Sequence, residues 1–240
     1  MKKKTFWAMA VLVGLLVGCD RSGPAGDPKE KVLEGWNNYR MGEFSLAIRA
    51  FESVTQNNGA DPEIRFQALY GLATTWNLRR PDEDAKKATQ YYNQILKLAP
   101  QSDWAAWSLL ALARMKHLVP VGTEPDVPKL YQAYQAVIDR FPNHIAAQEA
   151  LVYQQSLLIS TFQPKDAEKA LGILEKFVTT HPESYFLSSA YGLIATCNET
   201  LNRPEGKLQA LIRQLETQKV DPTNPFFENA SSYWVIATVA

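Results

Sequence analysis

Prolines punctuate this chain at an almost constant interval. They sit in short polar breaks: GADP ending at Pro62, LAPQS at Pro100, RFPNH at Pro142, THPES at Pro182 and VDPTN at Pro222, spaced 38, 42, 40 and 40 residues apart. Proline lacks a backbone N–H, and it pushes the residue before it out of the α region, so each break closes a helix. A fixed period of this length marks a repeat array, in which each unit buries its apolar face against its neighbours.

Within each unit the half before the break carries apolar residues at helical spacing. Phe44, Ala47, Ile48, Phe51 and Val54 fall at i, +3, +4, +7 and +10. The same pattern recurs in Val127–Ile138, Ala167–Val178 and Leu208–Leu215, and with one gap in Ala85–Leu96. These are amphipathic helices. The half after each break is longer and more evenly apolar, over roughly 62–79, 103–118, 143–161 and 183–201, as expected of helices sandwiched between neighbours. No strand-like alternation of any length interrupts them. The expected class is all-α, built from helix pairs.

The residue detail resembles the tetratricopeptide repeat. Gly35, Gly42, Phe44, Ala47, Ile48 and Phe51 stand where that motif places a small residue, a turn glycine, an aromatic, a small residue, an aliphatic and an aromatic. Trp107, Leu110 and Ala111 match its opening positions in the third unit, and Ala88, Tyr92, Ile95 and Pro100 its closing half in the second. The period here is about 40 rather than 34. The resemblance implies a superhelical solenoid of about five helix pairs plus a partial sixth over residues 29–240. After Pro225 the segment FFENASSYWVIATVA reads as one more first-type helix. Solenoids end in a polar capping helix, which leaves a truncated array or a face covered by a partner or second copy as the alternatives.

The N-terminus reads differently. MKKK is followed by the apolar run TFWAMAVLVGLLVG, residues 5–18, a charged segment and a hydrophobic segment in the order of an export signal. The run is shorter than the roughly 20 residues a membrane span needs. Leu16-Val17-Gly18-Cys19 resembles the lipobox of bacterial lipoproteins, which implies cleavage after residue 18 and lipidation of Cys19. Two acyl chains hold a protein on a membrane durably. Asp20 resembles the inner-membrane retention signal of enteric lipoproteins; without that effect, the outer membrane is the expected site. Residues 19–28 read as a tether of Gly, Pro and charge, reaching about 30 Å when extended.

Composition narrows the partners. The 25 basic and 25 acidic residues cancel, and removing three signal lysines leaves a slightly acidic chain. No basic patch suited to nucleic acid stands out. Cys197, the only other cysteine, lies in the apolar stretch AYGLIATCNETL and is expected as a small core residue. His117, His144 and His181 fall in separate units without i, i+4 partners, so no metal site is expected. Asp82, Glu83 and Asp84, and Asp166 with Glu168, each open a helix, where carboxylates serve free N–H groups and the helix dipole. No phosphate loop, catalytic triad, CxxC pair or cofactor motif is present, and a non-enzyme is expected.

In tetratricopeptide arrays the first helices line a concave groove. Aligned on Gly35 and Ala73, the resemblance implies a partner-binding groove of Trp36, Tyr39, Arg40, Tyr70, Thr74, Asn77, Ser108 and Met115. Aromatic residues beside an arginine suit a peptide or helical ligand. The variant that grips C-terminal carboxylates is not matched, because Val32 and Trp36 occupy its polar positions. The long connection 119–128, VPVGTEPDVP, is either a contact element or a tolerated insertion. The chain is similar to the outer-membrane assembly lipoprotein of the β-barrel machinery and to periplasmic repeat proteins. The expected function is a membrane-anchored envelope scaffold binding a protein partner. An outer-membrane assembly factor, or an accessory of cell-wall or polysaccharide export, are the alternatives.

Overall fold

The computed structural model describes residues 26–79, 81, 83–117 and 122–217. The segment expected as an export signal, Cys19, Asp20, most of the expected tether, Asp82 and the expected sixth half-unit lie outside the described residues. The rest forms ten α-helices and no strand among the described residues: α1 Pro28–Arg40, α2 Phe44–Thr55, α3 Pro62–Leu78, α4 Ala85–Leu98, α5 Asp103–His117, α6 Val127–Arg140, α7 Ile145–Ile159, α8 Pro164–Thr180, α9 Leu187–Thr200 and α10 Pro204–Thr217. They are five successive antiparallel pairs, an all-α tetratricopeptide-like solenoid.

Local chemistry sets the helix starts. Asp27, Asp61, Asp84 and Asp126 each accept a hydrogen bond from a backbone N–H of the first turn, at 2.8–3.1 Å. Proline occupies the first turn of α1, α3, α6 and α8, where its missing N–H is not needed. The expected ends hold closely for α3 and α5. α7 begins at Ile145 rather than 143, because His144 caps it through Nδ1, accepting from the Ala146 N–H at 3.0 Å. α9 begins at Leu187 rather than 183. The intervening turn is held by the Ser184 hydroxyl, which accepts from the Phe186 N–H at 3.1 Å and donates to Gln148 at 2.7 Å. The connection into α6 ends earlier than expected, since Val127 and Pro128 are already helical.

The carboxylates divide in role. Asp84 caps α4. Asp166 lies in the first turn of α8 but takes the Thr161 hydroxyl at 2.7 Å. Glu168 corrects the capping expectation: it pairs across to Arg203 at 3.0 Å, beside the start of α10.

Odd-numbered helices touch one another from α1 to α9, whereas even-numbered helices touch only odd ones and are not packed on each other. The even layer is therefore splayed and the odd helices line the concave side. Glycines permit this approach in the first units. Phe51, fully buried on α2, sits against Gly35 of α1 and Gly71 of α3, and a Cβ on either would meet its ring at 2.5 Å. Apolar clusters then continue along the array, the larger two centred on α3–α7 and on α7–α10.

Candidate ligand-binding pocket

A pocket of about 470 Å³ opens on the concave side, within the size range of small-ligand sites. α3 supplies Tyr70, Thr74, Asn77 and Leu78, spaced so that one helix face turns inward. α5 supplies Ala111, Arg114 and His117, and α7 supplies Tyr153. Tyr92 of α4 and Tyr134 of α6 reach the pocket from the outer layer. Both residues are buried, and their hydroxyls bond to the pocket residues Thr74 and His117.

Each of three tyrosine hydroxyls finds a partner, as buried phenols require. Tyr92 Oη lies 3.3 Å from Thr74 Oγ1, and Asn77 also hydrogen-bonds to it. Tyr134 Oη lies 3.1 Å from Nδ1 of His117. Tyr153 Oη accepts from Nη2 of Arg114 at 3.2 Å, and Nη2 also pairs with Glu149 at 2.7 Å. The Tyr70 and Tyr92 rings meet at 5.7 Å, and Tyr134 stacks on Tyr153 at 5.8 Å and 19°.

Burial governs the charges. It pushes the Tyr134 hydroxyl up to about 12. Tyr70 and Tyr92 are also raised, chiefly by burial. These phenols therefore remain neutral hydrogen-bonding groups at neutral pH. Burial likewise raises Glu149, against the pull of Arg114 and the Tyr153 hydroxyl. Burial alone would lower Arg114, but its hydrogen bond to Tyr153 and its attraction to Glu149 outweigh that, and the guanidinium stays charged.

Of the residues expected in the groove, Tyr70, Thr74 and Asn77 line this pocket. Trp36 is half-buried on the Phe51 ring at 5.3 Å and reaches Tyr70 at 6.5 Å, so it belongs to the first unit's core and borders the pocket. Tyr39 packs between Trp36 and Phe44. Arg40 is exposed at the end of α1 and donates to Asn37 at 3.3 Å. Ser108 corrects the expectation outright: it has no exposed surface and lies inside the array. Met115 packs against Ala73, Ala88, Tyr92 and Ala111. The sequence reading missed Tyr92, Arg114, His117, Tyr134 and Tyr153 as one group.

The remaining chemistry-bearing residues are structural. Cys197 is buried, and burial pushes its thiol up to about 11, which suppresses the nucleophilic thiolate. His144 caps α7, and His181 stacks on Phe177 at 4.9 Å. Among the described residues no group of His, Cys, Asp and Glu could hold a metal ion, and no helix is long and apolar enough to cross a membrane.

No protein-family model matches the chain, and no curated protein matches it. Solved structures do. A tetratricopeptide repeat protein from Parabacteroides merdae is 15% identical, with 89% of this chain and 72% of that one covered and a TM-score of 0.56. The MamA protein is 18% identical over 80% and 91%, at 0.51. A thermophilic TPR protein of Thermus thermophilus is 16% identical over 88% and 98%, also at 0.51. At such identities the likeness speaks to the fold alone, and it agrees with the helix-pair architecture of a tetratricopeptide-like α-solenoid.

Proposed function

We infer that the protein is a membrane-tethered scaffold of a bacterial cell envelope that holds a partner protein in its concave face. The observation that carries this reading is the tyrosine-lined pocket between inner helices α3, α5 and α7, reached by Tyr92 and Tyr134 from α4 and α6, whose aromatic and hydrogen-bonding groups suit a peptide ligand. The lipobox-like Leu16–Cys19 supports the anchor, and Asp20 favours the inner membrane.

Two experiments test it in cells. A photo-crosslinking residue at Leu78, at the pocket, is compared with one at Leu98, exposed on outer helix α4. Recovery of one envelope protein from position 78 and not from 98 supports the groove. Equal recovery from both, or none from 78, overturns it. Dominance of β-barrel assembly components would move the reading to outer-membrane assembly. Cys19→Ser should shift the chain from the membrane to the soluble envelope fraction, and unchanged membrane attachment would refute the lipid anchor.

A further inference from the structure

The pocket offers a hydrogen-bond donor set that the protein itself does not use. Arg114 makes its hydrogen bonds through Nη2, to Glu149 at 2.7 Å and Tyr153 at 3.2 Å, and its guanidinium lies 5.3 Å over the Tyr153 ring. Its Nη1 and Nε have no hydrogen-bond partner among the described residues. The Arg114 side chain is 45% exposed and that of Glu149 10%. The cation thus faces the pocket with its counter-ion behind it, and Glu149 is not part of the lining. Both two-donor edges of a guanidinium include Nη2, which is taken, so Nη1 remains as a single charged donor for an incoming acceptor. Next to it, Leu78, Ala111 and the rings of Tyr70 and Tyr153 provide apolar surface.

We propose that the pocket selects a peptide segment in which a large apolar side chain is closely followed by an acidic one. The apolar side chain fills the tyrosine-walled volume, and the carboxylate accepts one charge-assisted hydrogen bond from Nη1 of Arg114. A basic side chain is selected against, because the charge presented at the pocket is positive and its balancing carboxylate is buried. This deepens the groove reading above and rests on it.

Titration calorimetry on the full chain in detergent, with three synthetic peptides alternating Phe with Glu, Gln or Lys, tests the proposal. The Glu peptide should bind about tenfold tighter than the Gln peptide, as one hydrogen-bonded charge pair implies, and the Lys peptide weakest. Arg114→Gln combined with Glu149→Gln should abolish the preference without stranding a buried carboxylate. Arg114→Lys keeps the charge but not a donor at the Nη1 position while Glu149 is held, and should reduce it. Should the double variant fail to fold by circular dichroism, the single variant carries the comparison. Equal binding of the Glu and Gln peptides, or full preference retained in the folded variants, overturns the acidic specificity and leaves the groove reading standing. Binding of none of the three overturns the specificity. A crosslink at position 78 in that event would show that the groove reading survives, and its absence that both fail.

Discussion

A single phenylalanine makes the fit of the first repeats intolerant of one added carbon. Phe51 touches Gly35 on one side and Gly71 on the other. Alanine at either helical position gains about 1 kcal/mol of helix propensity, but its Cβ would stand 2.5 Å from ring carbons, and overpacking a closed core costs about 1–3 kcal/mol. The clash should prevail, so Gly35→Ala and Gly71→Ala lower stability in urea titrations. Gly172, in α8 with open space where a Cβ would sit, reverses the balance, and Gly172→Ala should gain up to about 1 kcal/mol. The tyrosines supply a second residue-scale prediction. Tyr134 titrates near 12 in the fold, against 10.0 ordinarily, because it is buried. Between these values the unfolded chain has lost the proton and the folded chain has kept it. The contribution is fully present below pH 10 and is lost as pH rises toward 12. Melting temperature followed by circular dichroism should fall across that window, with tyrosinate absorbance rising in step with unfolding. A Tyr134→Phe variant should show a shallower fall.

At the scale of the helix, caps outweigh surface ion pairs. Asp61 holds the Glu63 N–H at 2.8 Å at the start of α3, the helix that contributes most to the pocket. Asp61→Ala should cost about 1 kcal/mol. Glu168 and Arg203 form a 3.0 Å pair with both side chains about half exposed, and such pairs contribute about 0–1 kcal/mol. Glu168→Gln should therefore change the urea midpoint less than Asp61→Ala, and the opposite order would reverse the roles assigned to these two acids. Helix existence was legible in sequence because the 3.6-residue spacing and the prolines reinforce each other. Starts were less so. Neither His144 as a cap nor the Ser184 turn ahead of α9 departs from what a helix's own first residues look like. The pocket was legible only on α3, where Tyr70, Thr74 and Asn77 share one face. Ser108 failed because periodicity tells which residues share a face, not which neighbouring helix covers it. Tyr92 and Tyr134 matched core positions and are indeed buried as rings. A hydroxyl at a core position was the available signal, since it must reach a polar partner, and both reach one at the pocket.

At the scale of the array, contacts among the described residues run only along the chain: each helix meets its sequence neighbours, and the odd helices meet the next odd helix. Stability in such an array is a sum of unit and interface terms, so damage stays local. Phe51 tests this. It is fully buried in the cluster of Val32, Ala47, Ile48, Val54 and Leu72, which joins α1, α2 and α3. The cluster of Ala170, Leu174, Ala190 and Leu211 joins α8, α9 and α10 and shares no residue with it. Phe51→Ala should cost about 3–5 kcal/mol locally. Amide hydrogen exchange should accelerate across α1 to α3 while α8 to α10 keep their protection. The pocket draws Tyr70, Thr74, Asn77 and Leu78 from α3, so its affinity for the Phe–Glu peptide should fall in the same variant, although Phe51 does not line it. Uniform acceleration from α1 to α10 would mean that the helices unfold as one cooperative body, and the pocket would then depend on the whole array rather than on the units that build it.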